Sequence, residues 1–231
     1  MCSSDLARRN LAAAPSRPDR KTAIVLAAER LFAQQGYDAV SLRRIAEEAG
    51  VPLALVAYYY GQKHELFEAV FARWQRIIDD RLRGLRQALD APPRERLGRL
   101  VDAFTGPVLR LRASAEGEHY ALMVARELFH AREHTDRVLR SFFDPMAHAF
   151  IEGLQAVLPH ASRADVAWCY QFMLGALLHH ISDNRVERLS GGRCRAGDPA
   201  VAPMLNRFIV GGVQAALPAP ARSIATTRRA S

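Results

Sequence analysis

Helical spacing of apolar residues runs through almost the whole chain and limits its fold more than any other feature. In the segment from Lys63 to Leu89, apolar residues recur every three or four positions until Pro92 and Pro93 end the pattern. Alternation of apolar and polar residues, which would indicate strands, is not sustained in any segment. The sequence therefore predicts an all-α protein of about nine helices. The predicted helices span about 21–35, 42–49, 52–59, 63–89, 94–113, 117–131, 135–158, 162–184 and 199–216.

Proline and capping residues predict where these helices begin or become irregular. Gly106-Pro107 and Asp144-Pro145 should each kink or break a helix, because proline lacks a backbone N–H and its ring clashes with the preceding turn. Ser162, with Asp165 three residues later, is typical of a helix N-terminus. Asp198-Pro199 predicts the start of the last helix.

Positive charge is concentrated at the two ends of the chain. The net charge is +8, of which residues 1–21 and residues 218–231 each carry +3. The bulk charge therefore favours polyanions through the ends and says little about the folded part. The sequence predicts a flexible basic arm at 1–20, a helix-turn-helix domain at 21–66, a larger helical domain at 67–217 and a disordered tail at 218–231.

Several protein classes are excluded by what the sequence lacks. Cys2, Cys169 and Cys194 are too few and too scattered for a disulfide framework, so we expect a reduced, cytoplasmic protein. No run approaches ~18 apolar residues, which excludes a transmembrane helix, and no membrane partner is expected. His130 and His134 lie one helical turn apart without a thiolate or carboxylate at ligand spacing, so no metal or cofactor is predicted. No nucleophile–base pair or paired catalytic carboxylate stands out, which argues against an enzyme.

Residues 41–59 have the layout of a helix-turn-helix, with a short helix, a glycine turn and a second helix. Gly50-Val51 makes the turn, and Pro52 suits the first turn of the second helix because its missing N–H would be unpaired there. Leu53 and Ala54 are apolar where a solvated surface should be polar. They suit contact with thymine methyl groups in the major groove.

Three motifs follow one another in register, namely FAQQGY at 32–37, SLRRIAEEAGV at 41–51 and YYYGQKHEL at 58–66. Together they resemble the DNA-binding domain of the TetR family of transcription regulators, over about residues 21–70. The resemblance implies that Arg43 contacts a base or phosphate and that Lys63 holds a phosphate at a helix N-terminus. The DNA-binding residues implied in this way are Ser41, Arg43, Leu53, Ala54, Ala57, Tyr58, Tyr59 and Lys63.

Two positions depart from the family pattern, and one aromatic residue has a simpler explanation. Ala57 stands where many members have an aromatic phosphate contact, and Tyr59 stands where histidine is common. The alternative interpretation of residues 41–59 is an ordinary three-helix packing unit with aromatic core residues. For Tyr60, which lies on the same helical face as Val56, we favour that alternative.

Aromatic and methionine side chains in the predicted helices between 94 and 184 exceed what short helices need for packing, which predicts an apolar ligand pocket. The stretches 106–109 and 172–179 are similar to a fatty-acid-responsive subgroup of the family. Arg126 could anchor a ligand carboxylate, and a structural ion pair is its alternative role. Core packing is the alternative for the other residues. The predicted ligand-binding residues are Phe104, Leu111, Tyr120, Met123, Arg126, Phe143, Met146, Phe172 and Met173.

The last two predicted helices, 162–184 and 199–216, have apolar faces wider than one neighbouring helix requires. Gly175 and Gly211 would let another helix come close, so a homodimer through these helices is expected. The prediction is a dimeric repressor that binds an inverted-repeat operator in double-stranded DNA and is released by a small apolar or fatty acyl-like effector. Two alternatives stay open: a helical enzyme acting on an acyl substrate, and a DNA-binding dimer without an effector.

Overall fold

The computed structural model describes residues 19–129 and 133–218, and within these ranges the chain forms helices and turns without a strand. The all-α prediction is confirmed. The basic arm, apart from its last two residues, and the C-terminal tail beyond Pro218 lie outside the described residues. The helices are α1 (Arg20–Gln35), α2 (Leu42–Ala49), α3 (Leu53–Tyr60), α4 (Lys63–Arg73), α5 (Gln75–Leu89), α6 (Pro93–Ala113), α7 (Glu118–Phe129), α8 (Glu133–Val138), α9 (Asp144–Val157), α10 (Arg163–Ser182), α11 (Arg185–Leu189) and α12 (Ala202–Ala216).

The first three helices have the end signals that the sequence carries. The Ser41 side chain accepts a hydrogen bond from the backbone N–H of Arg44 at 3.2 Å, which caps α2. Gly50 ends α2 with φ 65° and ψ 38°, the left-handed conformation that glycine adopts without a steric penalty. Pro52 lies just before α3 as its N-cap rather than inside its first turn.

The segment from Lys63 to Leu89 is not the single helix that its periodicity predicts. The chain breaks at Trp74, whose φ of −102° and ψ of 12° separate α4 from α5. The Trp74 backbone N–H bonds to the carbonyl of Phe71 at 2.9 Å, a tighter turn than an α-helix makes. No glycine or proline marks this break, and the Trp74 side chain is buried in a contact with α1 that local sequence does not reveal.

The two internal prolines behave differently from each other. α6 runs through Pro107 without ending, so the expected break is wrong there. At Pro145 the irregularity is confirmed, because a π-helical turn at Leu139–Phe143 gives way to α9, which begins at Asp144. Because the chain is helical on both sides of Asp144, Pro145 cannot donate to the preceding turn, and the irregular hydrogen bonding lies in that turn. A 3-10 turn at Pro199–Val201 precedes α12 in the same way.

Two hydrophobic clusters fill the molecule. The larger is formed by α5, α6, α9, α10 and α12, with Phe104 and Phe150 fully buried in it. Gly153 permits a close approach there, since a Cβ atom on it would lie 2.7 Å from Cδ1 of Leu85. None of the described helices combines the length and the apolarity needed to cross a bilayer.

The second cluster surrounds α1–α3, which we call the head, and it extends beyond the head. It includes Leu111 near the end of α6 and Tyr120 and Met123 on α7, all of them buried. The head therefore does not have a core to itself. Residues of α7 complete the core of the head, so α7 packs with the head as well as with the larger helical domain. The domain division at residue 66 stays a prediction.

Candidate nucleic-acid interface and ligand cavity

The short helix α3 exposes large apolar and aromatic side chains although its centre is anchored in the core. Val56 is fully buried, whereas Tyr58 is 80% exposed and Leu53 is 46% exposed. The rings of Tyr58 and Tyr59 pack edge to face with their centroids 5.2 Å apart. Exposed apolar groups clustered in this way favour contact with a partner over contact with water. Ala54 and Ala57 are also exposed on this helix.

Arg43 projects from α2 into solvent, with 83% of its side chain exposed. Its guanidinium meets the carboxylate of Glu47 one turn further along α2, at 3.3 Å. An exposed pair of this kind contributes only ~0.2–1 kcal/mol, so a phosphate or a base edge can replace Glu47 at little cost.

Lys63 begins α4 and is only partly exposed. Its Nζ lies 4.2 Å from the centroid of the Tyr37 ring and donates to the carbonyl of Asp38 at 3.4 Å. Burial lowers the pKa of this amine. The N-terminus of α4 beside it is capped by Glu65, which accepts from the backbone N–H of Gln62 at 2.6 Å.

The predicted DNA-contacting residues are, with one exception, exposed in the structure. Ser41, which caps α2, is exposed, as are Arg43 and the five predicted residues of α3, while Lys63 is partly buried. Tyr60 instead packs against the head and donates its hydroxyl to the backbone carbonyl of Lys21 at 3.0 Å. Burial raises the pKa of Tyr60 to about 12. The core interpretation of Tyr60 agrees with this placement.

An apolar cavity of about 60 Å³, which we call the central cavity, lies between α5, α6, α7 and α10. Four of the predicted ligand-binding residues line it: Leu111, Tyr120, Phe143 and Met146. Ligand sites in proteins usually measure about 300–1,000 Å³, so the central cavity must widen before it can hold a ligand of ordinary size.

The other predicted ligand-binding residues lie elsewhere. Phe104, Met123 and Met173 are buried in the two hydrophobic clusters and do not line the central cavity. Phe172 is 64% exposed on the outer face of α10. Arg126 faces the head, where its guanidinium lies 3.4 Å from the position that a Cβ atom on Gly36 would take.

Arg81 also lines the central cavity, although it is not among the residues predicted from the sequence. This α5 residue is only 4% exposed, and among the described residues that line the cavity it alone carries a full charge. Its guanidinium lies 4.4 Å from the centroid of the Phe104 ring. The sequence carries only a partial signal: Arg81 shares one helical stripe with Ile78 and Leu85, and the structure shows that this stripe is buried.

Tyr120 connects the central cavity to the head. Its ring lines the cavity and stacks on Trp74, with centroids 5.3 Å apart and planes inclined by 20°. The Trp74 indole in turn donates to the carboxylate of Glu29 on α1 at 2.8 Å. Arg73 bridges Glu29 at 3.3 Å and Glu116 at 2.7 Å. Tyr120, Trp74 and Glu29 therefore connect α7 at the cavity wall to α1, so a movement of α7 would reach α1.

The outer sides of α10 and α12 form a second apolar surface, which we call the α10/α12 face. Trp168 and Phe172 on α10 are 61% and 64% exposed, and their rings stack at 5.9 Å. Met204 and Phe208 on α12 are 59% and 72% exposed. A soluble monomer rarely leaves so many large apolar side chains together in water, which marks this face as an interaction surface.

No group of three His, Cys, Asp or Glu side chains within the described ranges is arranged to hold a metal ion. His130 and the side chain of His134 lie outside the described residues. His179 is 3.2 Å from the carboxylate of Asp183.

Two family descriptions match separate parts of the chain. The family described as bacterial regulatory proteins, tetR family, matches residues 24–70, and the tetracyclin repressor-like C-terminal domain matches residues 102–212. The HTH-type transcriptional activator FasR of Mycolicibacterium smegmatis is 36% identical over 90 residues. That match covers 38% of this chain and 40% of FasR, so the chain aligns with less than half of this relative. The relatives are regulators, not enzymes.

Solved structures share the fold at low sequence identity. The fatty acid degradation regulator FadR from Bacillus halodurans superposes with a TM-score of 0.56 at 17% identity, covering 85% of this chain and 97% of that one. FadR from Bacillus subtilis in complex with stearoyl-CoA superposes with a TM-score of 0.54 at 15% identity, covering 83% and 98%. At these identities the likeness establishes the fold alone.

Proposed function

This chain belongs to the TetR family of bacterial regulators, and from that premise we propose that it is a DNA-binding transcription regulator controlled by a small molecule. The observation that carries the proposal is the exposed surface of α3, where Tyr58 is 80% exposed next to the fully buried Val56. An apolar and aromatic helix that is anchored by Val56 and Tyr60 and exposes its other aromatic side chains is suited to lie in the major groove.

In the proposed complex, α3 enters the major groove with Leu53 and Ala54 against thymine methyl groups and Tyr58 and Tyr59 against bases or sugars. Ser41, Ala57, Arg43 and Lys63 lie at the sides of this surface and meet the phosphate backbone, Arg43 after leaving Glu47. These contacts use both the apolar and the charged groups of the head.

The α10/α12 face is the proposed dimer interface. Stacked Trp168 and Phe172 on one helix and Phe208 on the other give the large, rigid apolar contact area typical of obligate dimers. A two-fold dimer presents two copies of α3, which explains recognition of an inverted repeat.

The central cavity is the proposed effector site, and the mode of action is release of a repressor from its operator. A ligand that widens the cavity displaces α7, and Tyr120 transmits the displacement to Trp74 and α1. The spacing of the two heads then no longer fits successive major grooves. A fatty acyl chain in the effector is supported by the apolar walls and by the stearoyl-CoA bound in the Bacillus subtilis structure of the same fold, which says nothing about the head group preferred here.

Selection of bound duplexes from a randomised DNA library tests this function. We expect an enriched inverted repeat whose half-sites are about one helical turn apart, and repression of a reporter that carries it. Enrichment of a sequence that is not palindromic would reject DNA binding by a two-fold dimer. Activation of the reporter would show that the protein is an activator and not a repressor. A dimer that binds DNA but never responds to a ligand would support the alternative of a DNA-binding dimer without an effector.

A further inference from the structure

Arg81 is a buried cation with two unsatisfied hydrogen-bond donors. Its Nε and Nη2 atoms are buried and have no hydrogen-bond partner among the described residues. The aromatic rings of Phe104 and Phe150 lie 4.4 and 5.6 Å from its guanidinium carbon, but a ring face does not replace a hydrogen-bond acceptor. No carboxylate in the described part of the chain forms an ion pair with Arg81.

This arrangement is costly for the free protein. A buried charge without a counterion and a buried N–H without an acceptor both lose hydration that nothing in the fold replaces. Burial lowers the pKa of Arg81 to about 10, so the side chain still carries its charge at neutral pH. The fold therefore holds a positive charge and two aligned donors ready in an apolar cavity.

The identity of the two unpaired atoms specifies the shape of the missing partner. Nε and Nη2 form one edge of the guanidinium, and their N–H bonds point in parallel. Two carboxylate oxygens match that edge in a bidentate pair. The surrounding walls are mostly apolar, and the phenol groups of Tyr120 and Tyr170 lie among them; the apolar part includes Ile77, Ile78, Val108, Leu174 and Leu178.

From these observations we propose that the effector is a free carboxylic acid with an apolar body, and that its carboxylate binds Nε and Nη2 of Arg81 inside the central cavity. The inference rests on the proposed function only in taking the central cavity as the effector site. A thioester or an ester offers a neutral carbonyl, which satisfies one donor and leaves the charge of Arg81 uncompensated. An alcohol has the same shortcoming.

Ligand-induced changes in the melting temperature of the full chain test this proposal. The probes are octanoate, dodecanoate and hexadecanoate, each compared with its methyl ester, its primary alcohol and its coenzyme A thioester. We expect the acids to raise Tm by about 5–10 °C at 100 times their Kd, and the esters, alcohols and thioesters, which lack the carboxylate, to bind at least ~30-fold more weakly.

Arg81→Met removes the charge and keeps an unbranched apolar stem, although the side chain becomes shorter. The free variant should melt at or above the wild-type temperature, because an unpaired buried charge is gone, while its affinity for the acids falls at least ~30-fold. Arg83→Met is the matched control, since Arg83 lies on the same helix with 59% of its side chain exposed and pairs with Asp80. Its response to the acids should equal that of the wild type.

The two proposals fail in different ways. Equal binding of acids and esters, or undiminished binding of acids by Arg81→Met, would overturn the carboxylate inference and leave a cavity-binding regulator intact. If Arg81→Met does not fold, Arg81→Lys serves instead, and undiminished affinity there would overturn the bidentate pairing. Absence of any response from every probe, in Tm and in operator binding, would count against the effector site itself.

Discussion

Trp74 donates its indole N–H to the buried carboxylate of Glu29 across 2.8 Å, and this bond ties the junction of α4 and α5 to α1 of the head. Glu29 is only 2% exposed. Burial raises the pKa of Glu29 above its ordinary value of 4.5, although the hydrogen bond from Trp74 and the charge of Arg73 oppose the rise. The contact that orders the junction therefore depends on pH.

Glu29→Gln should remove that dependence. As pH rises above about 4.5, the unfolded chain loses its Glu29 proton before the folded protein does, so the free energy of unfolding of the wild type falls relative to the glutamine variant. Chemical denaturation of both proteins between pH 4 and pH 8, a range chosen around the carboxyl pKa, measures the difference. Trp74→Phe should steepen the fall, because the donor that favours the carboxylate is lost. A wild-type advantage that grows with pH would contradict this account.

Lys63→Ala should weaken binding to operator and to random DNA by the same factor, because a phosphate contact carries no sequence information. The slope of log affinity against log salt should decrease by about 1 for each half-site. Lys63→Arg retains the charge and should keep the slope. A normally folded Lys63→Ala protein with the wild-type slope would show that the amine stays on Tyr37 and Asp38 in the complex.

Tyr58→Ala should lower operator affinity by about 1–3 kcal/mol per half-site and leave binding to random DNA almost unchanged. Its side chain is 80% exposed, so the stability of the protein should change by no more than ~0.5 kcal/mol. Tyr60→Phe is the opposite control. It loses the hydrogen bond to Lys21 and should destabilise the head by about 0.5–1.5 kcal/mol while keeping sequence preference. Equal losses of Tyr58→Ala on both DNAs would make Tyr58 a phosphate contact.

Gly211→Leu should convert the dimer into a monomer or an aggregate. A Cβ atom added at Gly211 meets nothing within 4 Å among the described residues, so we expect an effect on assembly to come from a partner. Gly98 on α6 is equally open, and Gly98→Leu is the matched control that should remain dimeric. Light scattering reports the mass, and a gel shift reports operator binding. A stable Gly211→Leu dimer with normal binding would place the interface elsewhere.

The features that local chemistry determines could be predicted, and those set by distant contacts could not. Ser41 and Gly50 mark the ends of α2 by side-chain capping and by left-handed backbone geometry, and both signals are local. The break lies at Trp74, whose side chain bonds to Glu29, 45 residues away, and no local signal marks it. Arg81 lies on a buried stripe, but a sequence does not tell whether an arginine reaches solvent along its stem or remains enclosed.

The shared core between α7 and the head limits how operator specificity can be exchanged between regulators of this kind. Leu111, Tyr120 and Met123 cover apolar surface of the head, so a chimera that joins residues 21–66 to a foreign sensor would leave that surface bare. Replacing the whole head is therefore a poor route to a new operator, in the laboratory and in evolution. Single substitutions on the exposed side of α3 leave the shared core untouched and are the route that the architecture leaves open.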